Sequence, residues 1–150
     1  MPQVVTEVTV EAPLETVWQV ARDNRSFPDF MDDVKSLEVV EEQGDRVVSD
    51  YVGIVSSFGL KVRWRQEDIW DEEAKTCAFR QLEGDYDKLE GIWTFSGDGQ
   101  SCTFHSELDY EYNVPTLGPL VKKVVHNLVV KNMDGVLGAI KKRAEERASQ

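Results

Sequence analysis

The chain has 150 residues, 41% of them hydrophobic and 30% charged, with a formal net charge of −11. That length suits one domain with a real core, here expected to be residues 1–150 as a single ligand-binding unit, and the hydrophobic share excludes a disordered chain. So acidic a surface disfavours nucleic acid and anionic membranes as partners held by charge.

No run approaches the roughly 20 apolar residues of a membrane span, so membrane insertion is not expected. The opening Met1-Pro2-Gln3-Val4-Val5 lacks a signal-peptide pattern, and a cytoplasmic protein is the expectation. Cys77 and Cys102 have no CxxC spacing and only His105 and His126 to join them. Two buried thiols in a reducing compartment are therefore expected, with no metal and no cofactor.

Gln3 to Glu11 is dense in Val and Thr with period-two character and predicts a strand. Pro13 suits the first turn of a helix whose Leu14, Val17, Trp18 and Ala21 share one face, ending at Asp23-Asn24. Ser26 to Met31 predicts a second short helix. A meander follows, with strands at Leu37–Glu41, Arg46–Val55, Leu60–Trp70, Thr76–Leu82, Tyr86–Phe95 and Ser101–Tyr112. The short connections between them favour antiparallel neighbours.

A long helix runs from just after Pro115 to about Ala148. Its apolar stripe is Leu117, Leu120, Val121, Val124, Val125, Leu128 and Val129, continued by Met133, Val136, Leu137 and Ile140. The fold class is α+β: a curved antiparallel sheet of six or seven strands wrapped around the long C-terminal helix. Two short helices follow the first strand.

Alternation sorts the faces of the sheet. Leu60, Val62, Trp64, Gln66, Asp68 and Trp70 share one face; Lys61, Arg63, Arg65 and Glu67 share the other. Leu89, Gly91, Trp93 and Phe95 point one way, as do Cys102, Phe104, Ser106, Leu108, Tyr110 and Tyr112. One face is wet and the other buried and aromatic.

A twisted sheet curls, and its concave face needs a cover that only the last helix is long enough to give. A curved sheet and a straight helix do not meet everywhere, which leaves room for a pocket. Its expected walls are Trp64, Phe79, Leu89, Trp93, Phe95, Phe104, Leu108 and Tyr110 from the sheet, with Val125 and Val129 from the helix. Gln66, Asp68, Gln81 and Ser106 lie on the same faces and need partners, either one another or a ligand. Phe30, Met31, Phe58 and Tyr86 fall near the loops at one end and are candidates for the pocket's mouth, Phe58 being the preferred gate.

The order of these elements resembles the START / polyketide cyclase–dehydrase superfamily with its helix-grip fold. So do Phe27-Pro28-Asp29-Phe30-Met31 after the first helix, Gly91-Ile92-Trp93-Thr94-Phe95 after the acidic turn Glu83-Gly84-Asp85, and Tyr112-Asn113-Val114-Pro115 before the last helix. Within it, the chain resembles bacterial cyclase/dehydrase-type and coenzyme Q-binding-protein-like members. The resemblance implies a cavity for a lipid, polyketide or quinone-like compound and does not by itself imply catalysis.

A cyclase or dehydrase needs an acid or base inside the pocket, and Asp68 is the best inward candidate, with Tyr110 as a proton donor. His105 falls on the outward face and His126 off the helix stripe. No nucleophile elbow, Cys-His pair or phosphate-binding glycine loop is present. The missing catalytic pair ranks binding or transport of a hydrophobic small molecule ahead of catalysis. A protein-interaction role, as in the ribosome-association toxin group, is the third reading; RNA contact sits badly with the charge.

Overall fold

The structure is a computed structural model and describes residues 3–32, 34–55, 60–112 and 119–149. Strand β1 (Gln3–Val10) leads into helix α1 (Leu14–Arg22), a single 3₁₀ turn at Asn24–Ser26 and the four-residue helix α2 (Phe27–Phe30). Six strands follow: β2 (Val34–Gln43), β3 (Arg46–Val55), β4 (Leu60–Asp71), β5 (Thr76–Gly84), β6 (Lys88–Gly97) and β7 (Cys102–Glu111). Helix α3 (Pro119–Ala148) closes the order, and its 30 residues reach roughly 45 Å at about 1.5 Å per residue.

All seven strands among the described residues form one sheet in the order β1-β7-β6-β5-β4-β3-β2, antiparallel at each junction. This is the α+β helix-grip arrangement expected from the sequence. Strand β2 begins three residues earlier than the pattern suggested, pairing from Val34 opposite Gly53. Strand β6 begins two residues later, since the Gln81 side chain takes the backbone N–H and C=O of Tyr86.

Helix α1 has no side-chain cap; the Leu14 amide donates instead to the Asp98 carbonyl in the β6–β7 turn, at 2.9 Å. That bond ties the start of the helix to the far end of the sheet. Two apolar clusters then fill the space between sheet and helices. One joins α1, α2 and the C-terminal half of α3 through Trp18, Phe27, Trp70, Phe95, Phe104 and Leu137. The other joins the sheet to the preceding part of α3 through Val4, Phe79, Leu89, Leu108, Tyr110 and Val129. Trp64, Trp93 and Met133 touch both clusters.

On α3 the buried positions are Val129, Leu137, Ile140 and Ala144. Val124, expected on the stripe, is 38% exposed. At about 100° per residue the four buried positions share one face of the helix, and Val124 falls on the side turned away from it. Among the described residues no helix is long and apolar enough to cross a membrane.

Candidate ligand-binding site

A cavity of about 120 Å³ lies between the two clusters. Strand β4 sends Val62, Trp64, Gln66, Asp68 and Trp70 towards it, the alternate positions that the pleat aims inward. Pairing of β4 with β5 shifts register between Arg65 and Gln66, a bulge that bends the sheet beside these side chains. The bend brings Gly84 so close that a Cβ there would lie 2.5 Å from the Trp64 Cα. Phe79, Leu89, Trp93 and Leu108 line the far side of the sheet, and Val129, Asn132, Met133 and Val136 come from α3.

The polar groups on β4 form a chain. The Trp64 indole Nε1 donates to Gln66 Oε1 at 2.9 Å, and Gln66 Nε2 donates to Asp68 Oδ1 at 2.7 Å. Asp68 is 4% exposed. Burial, only partly offset by the Gln66 hydrogen bond, pushes its carboxyl up to about 6, with Glu67 adding to the rise.

Around it, Tyr51 stacks on Trp64 with ring centroids 5.1 Å apart, and Asn24 Nδ2 donates to the fully buried Ser49 Oγ at 3.2 Å. Burial and the Asp68 charge hold the Tyr51 hydroxyl well above its usual range. Cys77 also lines the cavity, its thiol raised by burial and by Asp68.

Of the residues singled out from sequence, Trp64, Gln66, Asp68, Phe79, Leu89, Trp93, Leu108 and Val129 line this cavity. Six do not. Phe95 and Phe104 stack on each other at 4.5 Å within the core beneath α1. Gln81 is engaged by the Tyr86 backbone, donating at 2.8 Å and accepting at 3.2 Å. Val125 packs beyond the cavity in the second cluster.

The Tyr110 hydroxyl meets His126 Nδ1 at 2.9 Å. His126, expected off the buried stripe, is thus half-buried by this contact. Ser106 is 1% exposed and its Oγ has no partner; Thr6 Oγ1 and Trp93 Nε1 share that condition. These three sit in one cross-strand row, Thr6 facing Ser106 and Ser106 facing Trp93.

Of the mouth candidates, Met31 and Tyr86 line the cavity. Tyr86 stands edge-on to Trp64 at 5.7 Å and Tyr112 at 5.6 Å, and burial pushes its hydroxyl up to about 12. Phe30 instead lies against Phe27 with the Arg143 guanidinium 5.2 Å from its ring, which pins α2 to α3. Phe58 and Leu117 lie outside the described residues. His105 stays on the outer face, 2.8 Å from Glu7 Oε2.

The sequence reading missed Asn24, Tyr51 and Cys77 as lining residues, and Asn132, Met133 and Val136 on the helix. Tyr51 was within reach, since Val47, Ser49 and Tyr51 alternate inward on β3 and all three are buried. Among the described residues no three His, Cys, Asp or Glu side chains converge as metal ligands would.

A family model described as polyketide cyclase / dehydrase and lipid transport matches residues 10–136. The chain belongs to this family. A Streptomyces cyaneus protein named "Putative polyketide cyclase" is 21% identical over 141 residues, 93% of this chain and 91% of the relative.

A crystal structure of a Thermus thermophilus protein superimposes with a TM-score of 0.91 at 34% identity, covering 98% of this chain and 99% of that one. The Zhui aromatase/cyclase from Streptomyces sp. R1128 gives a TM-score of 0.90 at 23% identity, covering 97% and 94%. At that identity the likeness is one of fold.

Proposed function

We propose that this chain takes up an apolar small molecule into the cavity between the sheet and α3, as a binding or transport protein. The observation that carries this reading is the cavity itself, about 120 Å³ left open among large side chains in an otherwise close-packed interior. Apolar cavities of roughly 150 Å³ stay dry and accept a molecule such as benzene. An aromatic lining with a few placed polar groups is the usual make-up of a ligand site.

Native mass spectrometry of protein purified from the cells that make it, followed by solvent extraction, tests this. A stoichiometric apolar compound is the expected result. An apo mass that stays unchanged on incubation with neutral ring compounds would count against it.

A second reading is favoured by one feature, a buried carboxyl raised to about 6 and thus poised to exchange protons near neutral pH. In it, Asp68 removes the proton next to a ketone, the enolate attacks a second carbonyl, and the carboxylic acid returns its proton to the new alkoxide. That is the chemistry of a cyclase. Under this reading Asp68→Asn lowers turnover of a polyketide substrate by roughly 100-fold or more while the protein still retains it. Unchanged turnover would remove Asp68 from the mechanism.

A further inference from the structure

Polar atoms are distributed unevenly around the cavity. β5, β6, β7 and α3 contribute mainly the apolar Phe79, Leu89, Leu108, Val129 and Met133, with the Asn132 amide and the unpartnered Trp93 indole N–H as their polar groups. The carboxyl and the other polar side chains, Asn24, Tyr51, Gln66 and Asp68, come from the turn after α1 and from β3 and β4. The hydrogen bonds on β4 have a fixed direction. An indole N–H can only donate, so Gln66 must turn its carbonyl to Trp64. Its NH₂ is thereby aimed at Asp68, whose Oδ1 accepts.

Asp68 Oδ2 is the oxygen left over, with no hydrogen bond among the described residues. No Lys, Arg or His side chain is among the lining residues described. A buried carboxylate with an unfilled oxygen and no cation beside it calls for a donor. An anionic ligand would face that carboxylate in a water-poor site. An ammonium ligand would have to shed its hydration to make a single ion pair against an uncharged aromatic wall. A hydroxyl supplies the donor without bringing charge, and a phenol carries it on a flat ring that suits walls built of Trp, Tyr and Phe.

We infer that the cavity selects an uncharged, single-ring phenol whose hydroxyl donates to Asp68 Oδ2, and that it turns away carboxylates and other anions. This rests on the reading that the cavity takes up an apolar molecule and adds the head group that such a molecule carries. One ring is the scale set by a volume of about 120 Å³. The apolar edge of the ring lies towards Leu89 and Met133, and the hydroxyl towards β4.

Titrations at about pH 8, followed by the fluorescence of Trp64, Trp70 and Trp93, test the assignment with four probes of one shape: 4-methylphenol, toluene, 4-methylbenzoate and 4-methylbenzylamine. The phenol should bind at least roughly tenfold more tightly than toluene, the worth of a hydrogen bond to a charged group, with the benzoate weakest. Asp68→Asn should bring phenol and toluene to within about threefold and leave toluene itself unchanged. In the unaltered protein the phenol's advantage should shrink as pH falls below about 6, where Asp68 carries its own proton.

Toluene binding as tightly as the phenol would overturn the head-group assignment and leave the cavity reading standing. Tightest binding by the benzylamine or the benzoate would overturn the uncharged class. Failure of all four probes, toluene included, would overturn the cavity reading along with it.

Discussion

Replacing Asp68 by Asn keeps the side chain's shape and the oxygen that accepts from Gln66, removes the charge, and exchanges the other oxygen for an NH₂. Folding raises this carboxyl from 3.8 to about 6, chiefly because burial disfavours the ionised form. The folded chain therefore holds the proton more tightly than the unfolded chain. The stability that goes with the neutral acid is complete below about pH 4 and is lost as pH rises through about 6. The rise from 3.8 to about 6 is about two units, which corresponds to about 3 kcal/mol.

Asp68→Asn should accordingly stabilise the fold by about 3 kcal/mol above roughly pH 7. For a chain of this length that is a gain of roughly 6–12 °C in Tm. The advantage should shrink to near zero by about pH 4. Urea unfolding of the two proteins across that range checks it, because every other carboxylate cancels in the difference. A difference that does not change with pH, or greater stability of the unaltered protein at about pH 8, would mean that the Asp68 charge is hydrated or paired. The burial argument would then fail.

Thr6→Val exchanges a buried, unpartnered hydroxyl for a methyl of the same shape and should stabilise by about 1 kcal/mol; a lower urea midpoint would show that Oγ1 has a partner. At Gly91 an added Cβ would lie 2.2 Å from the Glu107 carbonyl oxygen and 2.6 Å from Phe79 Cζ. Gly91→Ala should therefore cost about 1–3 kcal/mol in thermal or urea unfolding, whereas an unchanged midpoint would mean that β6 and β7 separate easily. Burial raises both thiols, Cys77 and Cys102, so neither should react with a thiol reagent at about pH 8 until the chain is unfolded, when both should. Rapid labelling of Cys77 in the folded protein would point to a site open to solvent.

Alternation made the inward faces of β4, β6 and β7 readable, because a strand's side chains must point to opposite sides. It could not say how deep each inward residue lies. Trp93 and Phe95 share a face, yet Trp93 reaches the cavity while Phe95 is sealed in core under Trp18. That difference comes from where α1 lands, since its Trp18 covers Phe95, and this is a long-range matter. Gln66 and Asp68 were legible as inward polar neighbours two positions apart, but the direction of their hydrogen bonds depends on the Trp64 indole. Asn24 sits in a 3₁₀ turn with no periodicity to read, and only the fold carries it to Ser49 and the cavity wall.

Two of the chain's three methionines, Met31 and Met133, line the cavity, one just after α2 and one on α3. Carbon-13 labelling of the methionine methyl groups therefore places reporters within the proposed site. On titration with toluene, the account predicts saturable chemical-shift changes for both Met31 and Met133. Resonances of both residues that stay unmoved up to the solubility limit of toluene would contradict the claim that this cavity takes up an apolar ligand.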